Sequence, residues 1–517
     1  MRPFLLLLLI ACAPVEPDAS LPASQAAAPT PGFTLAAPVS VMPGGSLPMT
    51  ATLPSGAPNT QVRFVLGRGG VGPGPCFFDG CLDVAGPLIV LGTDAPSGGV
   101  ASLTRTIPST VPWGSYALQA AQVTPSGTLL LSNPRPFVVG PPCGDGVLVP
   151  GEACLADTLI EAMRNDLVGT MLAASFNYGW PVPVEGGLLF ATYTPGNWSV
   201  AGDHSGWAPQ PMQAESGFRW TIREAAAPGG YKFTTGSNWM ADGWSRQYTY
   251  DSFGELSLHG ATGARLERLF GIGGGPVSTR TIRAWIPAEP VTHLLYAHDG
   301  QNLFDPGAIW GGWNLQGSAP PGMMIVGVDN SADRFDEYTH VVDNIGSGPV
   351  GGDGNAYATF MELSVRPAVQ AIWGEPDRVG VMGSSLGGLI ALHQADRYPG
   401  RYDFAASLSG TIGWGSIGMN NPTIMQRYVT AGLRDTVLYL DSGGGGSCYD
   451  ADADGINDDD PTSSDNYCTT AQMRDALYGV GYTPNVDLYH WWEPGQGHNE
   501  AAWASRVWRP MQIFAGM

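Results

Sequence analysis

The run Gly383-Ser384-Ser385-Leu386-Gly387 sets a serine two positions from a glycine on either side. That spacing suits nucleophilic attack on a carbonyl. Small flanking residues let a strand and the helix after it cross closely at a strained turn, and the helix N-terminus favours the negative charge that develops. The amide of Leu386 can donate to that oxyanion. In a chain with 72 glycines the pattern alone says little. Its setting says more: Val379 to Met382 reads as a short buried strand, and Leu386 to Arg397 as a helix stopped by Tyr398-Pro399-Gly400. Ser385 is the candidate nucleophile, and a glycine-rich turn without a reactive group is the rival reading.

A serine hydroxyl needs a base, and the base needs an acid to orient it. After such an elbow the chain order is serine, acid, histidine. Of eight histidines only His490 and His498 lie beyond the acid candidates. His490 falls inside the apolar run Val486 to Trp492, which reads as the last strand, so a packed or edge imidazole is expected there. His498 follows in Glu493-Pro494-Gly495-Gln496-Gly497-His498-Asn499-Glu500, a flexible loop at a strand end from which a ring can swing over the nucleophile. His498 is the candidate base. Two carboxylates compete for the acid: Asp441 ends the strand-like Thr436 to Ser442, and Asp465 opens the next helix. Both flank the loop where the acid belongs, and Asp465 is preferred.

Between the two stands Asp450-Ala451-Asp452-Ala453-Asp454-Gly455, with Asp458 beyond. Carboxylates on alternate residues, with a glycine for the sharp turn, wrap oxygen ligands round one hard cation. Asp450, Asp452, Asp454 and Asp458 are the expected ligands of a structural calcium ion, while the chemistry needs no cofactor. The run resembles the calcium loops of EF-hands and thrombospondin type 3 repeats, although Pro461 stands where a bidentate glutamate would. A solvated acidic loop is the alternative.

The elements that must position these groups come from alternating strand-like and helix-like segments after Arg265, the mark of a mostly parallel sheet. At 517 residues the chain is too long for one core. Its 24 basic and 45 acidic residues leave a formal charge of −21, which repels phosphate backbones and excludes nucleic acid as a partner. Residues 1–12 read as a signal peptide: Arg2 precedes the apolar Phe4 to Ile10, a run too short to span a bilayer. Leu9-Ile10-Ala11-Cys12 resembles a bacterial lipobox, so Cys12 is expected to carry lipid and anchor the exported chain to the cell envelope, at the outer membrane on the strength of Ala13. Residues 13–31, rich in Ala, Pro and Ser, form a linker. The other six cysteines fall into close pairs, Cys76/Cys81, Cys143/Cys154 and Cys448/Cys468, expected as disulfides in an exported protein.

Residues 32–140 show short β-type runs between turn signals and read as an immunoglobulin-like β-sandwich. Residues 141–156 form a disulfide-stapled linker resembling the cysteine-rich repeats of exported bacterial proteins. Residues 157–262 form a second β-rich unit that resembles the early-set sandwich of glycogen- and starch-binding modules. Its Trp198, Trp207, Trp239 and Trp244 could stack on sugar rings, but packing is the commoner use of tryptophan and is the expectation here. Residues 263–517 complete a multidomain chain: β-sandwich modules followed by a C-terminal α/β-hydrolase fold.

Further segments carry a resemblance. Leu294 to Asp305, Met324 to Asn330, Arg334, Glu337-Tyr338-Thr339, the serine elbow and Gly497 to Glu500 with Trp503 together resemble the esterase family that includes esterase D, feruloyl esterases and enterochelin esterases. The likeness runs from about Arg265 to the C-terminus. It implies a carboxylic ester hydrolase with a Ser-Asp-His triad. By position the family's oxyanion loop falls on His298-Asp299-Gly300-Gln301, with the amide of Gln301 as second donor. The substrate expected is a small-molecule or polysaccharide ester outside the cell, with a polysaccharide-linked acyl or feruloyl group favoured. A siderophore trilactone esterase or an acyltransferase is the alternative; a basic cluster near the pocket, with Arg334 as one member, would favour the trilactone. A non-catalytic carbohydrate-binding surface lipoprotein is the rival from another class.

Overall fold

The computed structural model describes residues 29–77, 80–140, 143–149, 154–224, 227–458 and 465–517. The expected signal peptide, Cys12 and nearly all of the 13–31 linker lie outside the described residues. The chain divides into two compact units, 1–161 and 162–517.

In the first unit a three-stranded and a six-stranded sheet share one apolar core. Strand Ser46–Thr52 shows why: Leu47, Met49 and Ala51 point inward while their neighbours face out, the period of two that half-buried strands require. They meet Phe64, Leu66, Leu118 and Phe137. Cys143 is bonded to Cys154, and the carboxylate of Asp157 takes the amides of Gly144 and Gly146, each at 2.7 Å. The other two expected disulfides, Cys76–Cys81 and Cys448–Cys468, are also present.

The second unit is built on a continuous 14-stranded sheet. Its last eight strands in the chain are β1 (Arg265–Gly274), β2 (Val277–Ile286), β3 (His293–His298), β4 (Met323–Val328), β5 (Arg378–Ser384), β6 (Phe404–Leu408), β7 (Val437–Ser442) and β8 (Leu488–Trp492). They lie in the order β1-β2-β4-β3-β5-β6-β7-β8. β2 runs antiparallel to β1 and β4, and from β4 to β8 every pairing is parallel. β4 and β6 are buried at every position, as strands covered on both faces must be. β1 also pairs with strand Gln247–Asp251, so the sheet of the preceding β-rich segment runs into this one without a break.

The four tryptophans of that segment divide. Trp198 is buried, and Trp244 packs edge-on against Phe270 at 5.4 Å. Trp207 and Trp239 depart from the packing expectation, with 37% and 45% of their surface exposed. Trp239 lies on a two-residue edge strand. Trp207 leaves a 3-10 turn with φ +65°, its indole N–H donating to Asp203 Oδ1 at 2.9 Å.

Candidate active site

β5 delivers Ser384 into the interior and leaves Ser385 partly exposed, at φ +55° and ψ −125°. A non-glycine residue in the left-handed half of the map is strained and persists only where its surroundings hold it. Here the Ser385 amide donates to the Leu408 carbonyl at 3.0 Å, and its carbonyl accepts from the amides of Gly388, Leu389 and Thr411. The glycines are a steric need. A Cβ on Gly383 would stand 2.5 Å from the Gly387 carbonyl group, and one on Gly388 would stand 2.5 Å from Ser407 Oγ.

Parallel register aligns Ser384 with Leu408, Leu408 with Asp441 and Asp441 with Trp491, which brings the ends of β5 to β8 to one edge of the sheet. His498 leaves the loop after β8, and its Nδ1 lies 2.6 Å from Asp465 Oδ1. Asp465 is buried, and its Oδ2 accepts from the Gly443 amide at 2.5 Å and from Ser409 Oγ at 2.6 Å. Ser409 directly follows β6, the neighbour of the strand that carries Ser385. The imidazole is thus tied, through Asp465, to Gly443 after β7 and Ser409 after β6. Its side chain stays 39% exposed, with the ring edge-on to Trp503 at 5.0 Å.

Asp441, the other candidate acid, is engaged elsewhere. It accepts from Arg506 Nε and from the Tyr439 hydroxyl, each at 3.0 Å, deep in the interior. Burial pushes its carboxyl up to about 6 against the pull of Arg506. His490 is packed as expected: its Nε2 is buried without a hydrogen-bond partner, and burial lowers the imidazole to about 4.

On the other side of Ser385, Leu386 opens the helix Leu386–Arg397, where the first amides have no intrahelical acceptor. Asp299 sits at φ +60° and leads into the short turn Gly300–Asn302 that carries Gln301. This loop abuts the helix N-terminus, since a Cβ on Gly387 would meet Asp299 Oδ2 at 3.1 Å. Arg334 clamps the Asp299 carboxylate from both sides at 2.7 and 2.8 Å, and Asn330 Nδ2 donates to it at 2.6 Å. Sequence reasoning placed Asp299 in the oxyanion loop but missed Ser409 and Arg506 as members of this neighbourhood. Each acts through a long-range side-chain contact that leaves no local pattern.

In the acidic loop, carboxylate oxygens of Asp450, Asp452 and Asp454 lie within 4.8 Å of one another. Asp458 does not join them. Its Oδ2 accepts from the Ala451 amide at 2.8 Å, and its own amide donates to the Tyr449 carbonyl at 2.6 Å, so it closes the neck of the loop instead. Gly455 turns the chain at φ +91°, and Ile456 anchors the loop in the core.

Comparison with known proteins finds likeness in the C-terminal half. Residues 282–506 match the family model described as "Putative esterase". "Uncharacterized protein YbbA" of Bacillus subtilis (strain 168) is 28% identical over 166 residues, which cover 31% of this chain and 61% of that protein. The chain therefore spans under two thirds of that relative's length. Among solved structures, the enterobactin esterase FES from Shigella flexneri aligns over 64% of this chain and 93% of its own, at 16% identity and a TM-score of 0.37. The siderophore hydrolase EstB from Aspergillus nidulans aligns over 48% and 94%, at 18% identity and a TM-score of 0.34. The family match runs from within β2 through the serine elbow and the histidine loop to Arg506.

Proposed function

We propose that the chain hydrolyses carboxylic esters through Ser385, His498 and Asp465. The observation that carries this reading is the 2.6 Å contact between His498 Nδ1 and the buried Asp465, at the same sheet edge as the strained Ser385 elbow. His498 takes the hydroxyl proton as Ser385 Oγ bonds to the carbonyl carbon, and the Leu386 and Gln301 amides hold the oxyanion. The C–O bond to the alcohol breaks as His498 returns the proton to it. Water, deprotonated by the same imidazole, then cleaves the acyl-enzyme and regenerates the serine.

For the substrate we favour an acyl or feruloyl group on a polysaccharide. Trp207, Trp239 and Phe253, all exposed, line a cavity of about 440 Å³ with Lys232 and Asp251, which suits a sugar: aromatic faces for the ring, charged groups for the hydroxyls. A siderophore trilactone is the second reading. It draws less from this site, because Arg334 is already neutralised by Asp299. We further propose a lipid anchor at Cys12, a place in the cell envelope, and a structural calcium ion on Asp450, Asp452 and Asp454. Turnover of p-nitrophenyl acetate, methyl ferulate, acetylated xylan and enterobactin tests the substrate; preference for enterobactin would overturn the polysaccharide reading.

A further inference from the structure

Behind Asp465 lies a buried group of side chains that the elbow motif does not anticipate. Ser409 is fully buried and takes φ +48°, a backbone that glycine adopts more easily. Its amide donates to the Asp441 carbonyl at 2.8 Å, and its carbonyl accepts from Asn466 Nδ2 at 2.7 Å. Its hydroxyl meets Trp503 Nε1 at 3.0 Å, Arg506 Nη2 at 2.5 Å and Asp465 Oδ2 at 2.6 Å.

Two of those three partners can only donate. An indole N–H and a guanidinium have no acceptor, and a hydroxyl has two lone pairs and one proton. Trp503 and Arg506 fill both lone pairs, so the proton of Ser409 has one place to go, Asp465 Oδ2. That oxygen also receives the Gly443 amide at 2.5 Å and Arg506 Nη2 at 3.3 Å. All its partners in this group are donors. The carboxylate is therefore held in one rotation, as an acceptor, with Oδ1 turned to His498.

We infer that Ser409 is a positioning residue for the esterase reaction: its donor-locked hydroxyl fixes Asp465 and, through it, the direction of the His498 ring. The inference rests on the triad reading above. Arg506 serves two carboxylates here, Asp441 through Nε and Asp465 through Nη2.

The test is Ser409→Gly, which removes the hydroxyl at a backbone angle that glycine accepts without strain. Two readouts are followed: the kcat and KM for p-nitrophenyl acetate, and the low-field proton resonance of His498 Nδ1–H, assigned by its absence from His498→Ala. The expected result is a kcat lower by roughly ten- to a hundred-fold with KM unchanged, and a displaced or lost resonance. Trp503→Phe leaves Ser409 able to donate and should cost only a few-fold. Ser409→Gly with unaltered kcat and resonance would overturn the inference, as would an equal loss in Trp503→Phe, which would point to packing alone. Should Ser409→Gly not fold, Ser409→Ala carries the same resonance test, and an unmoved signal there overturns the inference too. Absence of Ser385-dependent turnover in the wild type would sink the triad reading, while the resonance would still report on the hold of Ser409.

Discussion

Asp441 and Arg506 are paired in the interior, Oδ1 to Nε at 3.0 Å, with side chains 0% and 1% exposed. This pairing divides two neighbouring carboxylates between two tasks. Asp441 answers a buried cation; Asp465 orients an imidazole. Asp441→Asn is expected to destabilise the fold by about 3 kcal/mol, since it removes the nearer of the two carboxylates that face the buried Arg506. Asp465→Asn should leave the Tm close to wild type and lower kcat by about 10⁴-fold, as loss of the orienting acid does in other serine hydrolases. Thermal unfolding and turnover of both variants check the division; the reverse pattern would contradict it.

Acid should weaken the fold. Burial holds His298 and His393 at about 3, and His340 and His490 at about 4, below their ordinary 6.5. Unfolding lets them take up protons, so stability that is complete above the unfolded value drains away as the pH falls towards the folded ones. Asp441 and Asp242 run the other way. Burial lifts both from 3.8 to about 6, so their contribution is full below the unfolded value and lost as the pH rises through about 6. Four larger shifts outweigh two smaller ones, and the Tm is expected to drop between pH 7 and pH 5. A Tm that rises over that interval would refute the balance.

Much of this site was legible in the residues. The elbow could be read because a short apolar run and a helix-like segment bracket Gly383 to Gly387, and His498 because it follows the last strand. The acid could not be fixed by spacing, since the acidic insertion at 450–464 separates Asp465 from the strand that Asp441 ends. What distinguishes the two is the approach of His498, 33 residues beyond Asp465 in the chain, while Arg506 reaches both carboxylates. The exposure of Trp207 was equally hidden, because it depends on a positive φ and on a bond to Asp203. Asp458 looked like a fourth ligand by alternation, yet its carboxylate is drawn to the Ala451 amide.

Three carboxylates within 4.8 Å repel one another unless a cation joins them. Calcium at millimolar concentration is expected to raise the Tm, and chelation to lower it, with turnover following because Asp465 lies in the same segment closed by the Cys448–Cys468 disulfide. Asp452→Asn should abolish the response. Isothermal titration without heat, together with an unchanged Tm, would dispose of the ion.

Trp207 and Trp239 stand 6.2 Å apart at a tilt of 43°. Replacing either by alanine should weaken retention on an acylated polysaccharide by roughly five-fold, from lost aromatic stacking of about 1 kcal/mol, while turnover of p-nitrophenyl acetate stays as it was. Retention unchanged across a panel of polysaccharides would remove the sugar platform.

The central claim is that Ser385 is the nucleophile. Labelling by a fluorophosphonate probe, with p-nitrophenyl acetate turnover, of the wild type and Ser385→Ala tests it most directly. Stoichiometric labelling and turnover are expected in the wild type and neither in the variant. A variant that still turns over ester at the wild-type rate, or a wild type that the probe leaves unlabelled, would contradict it.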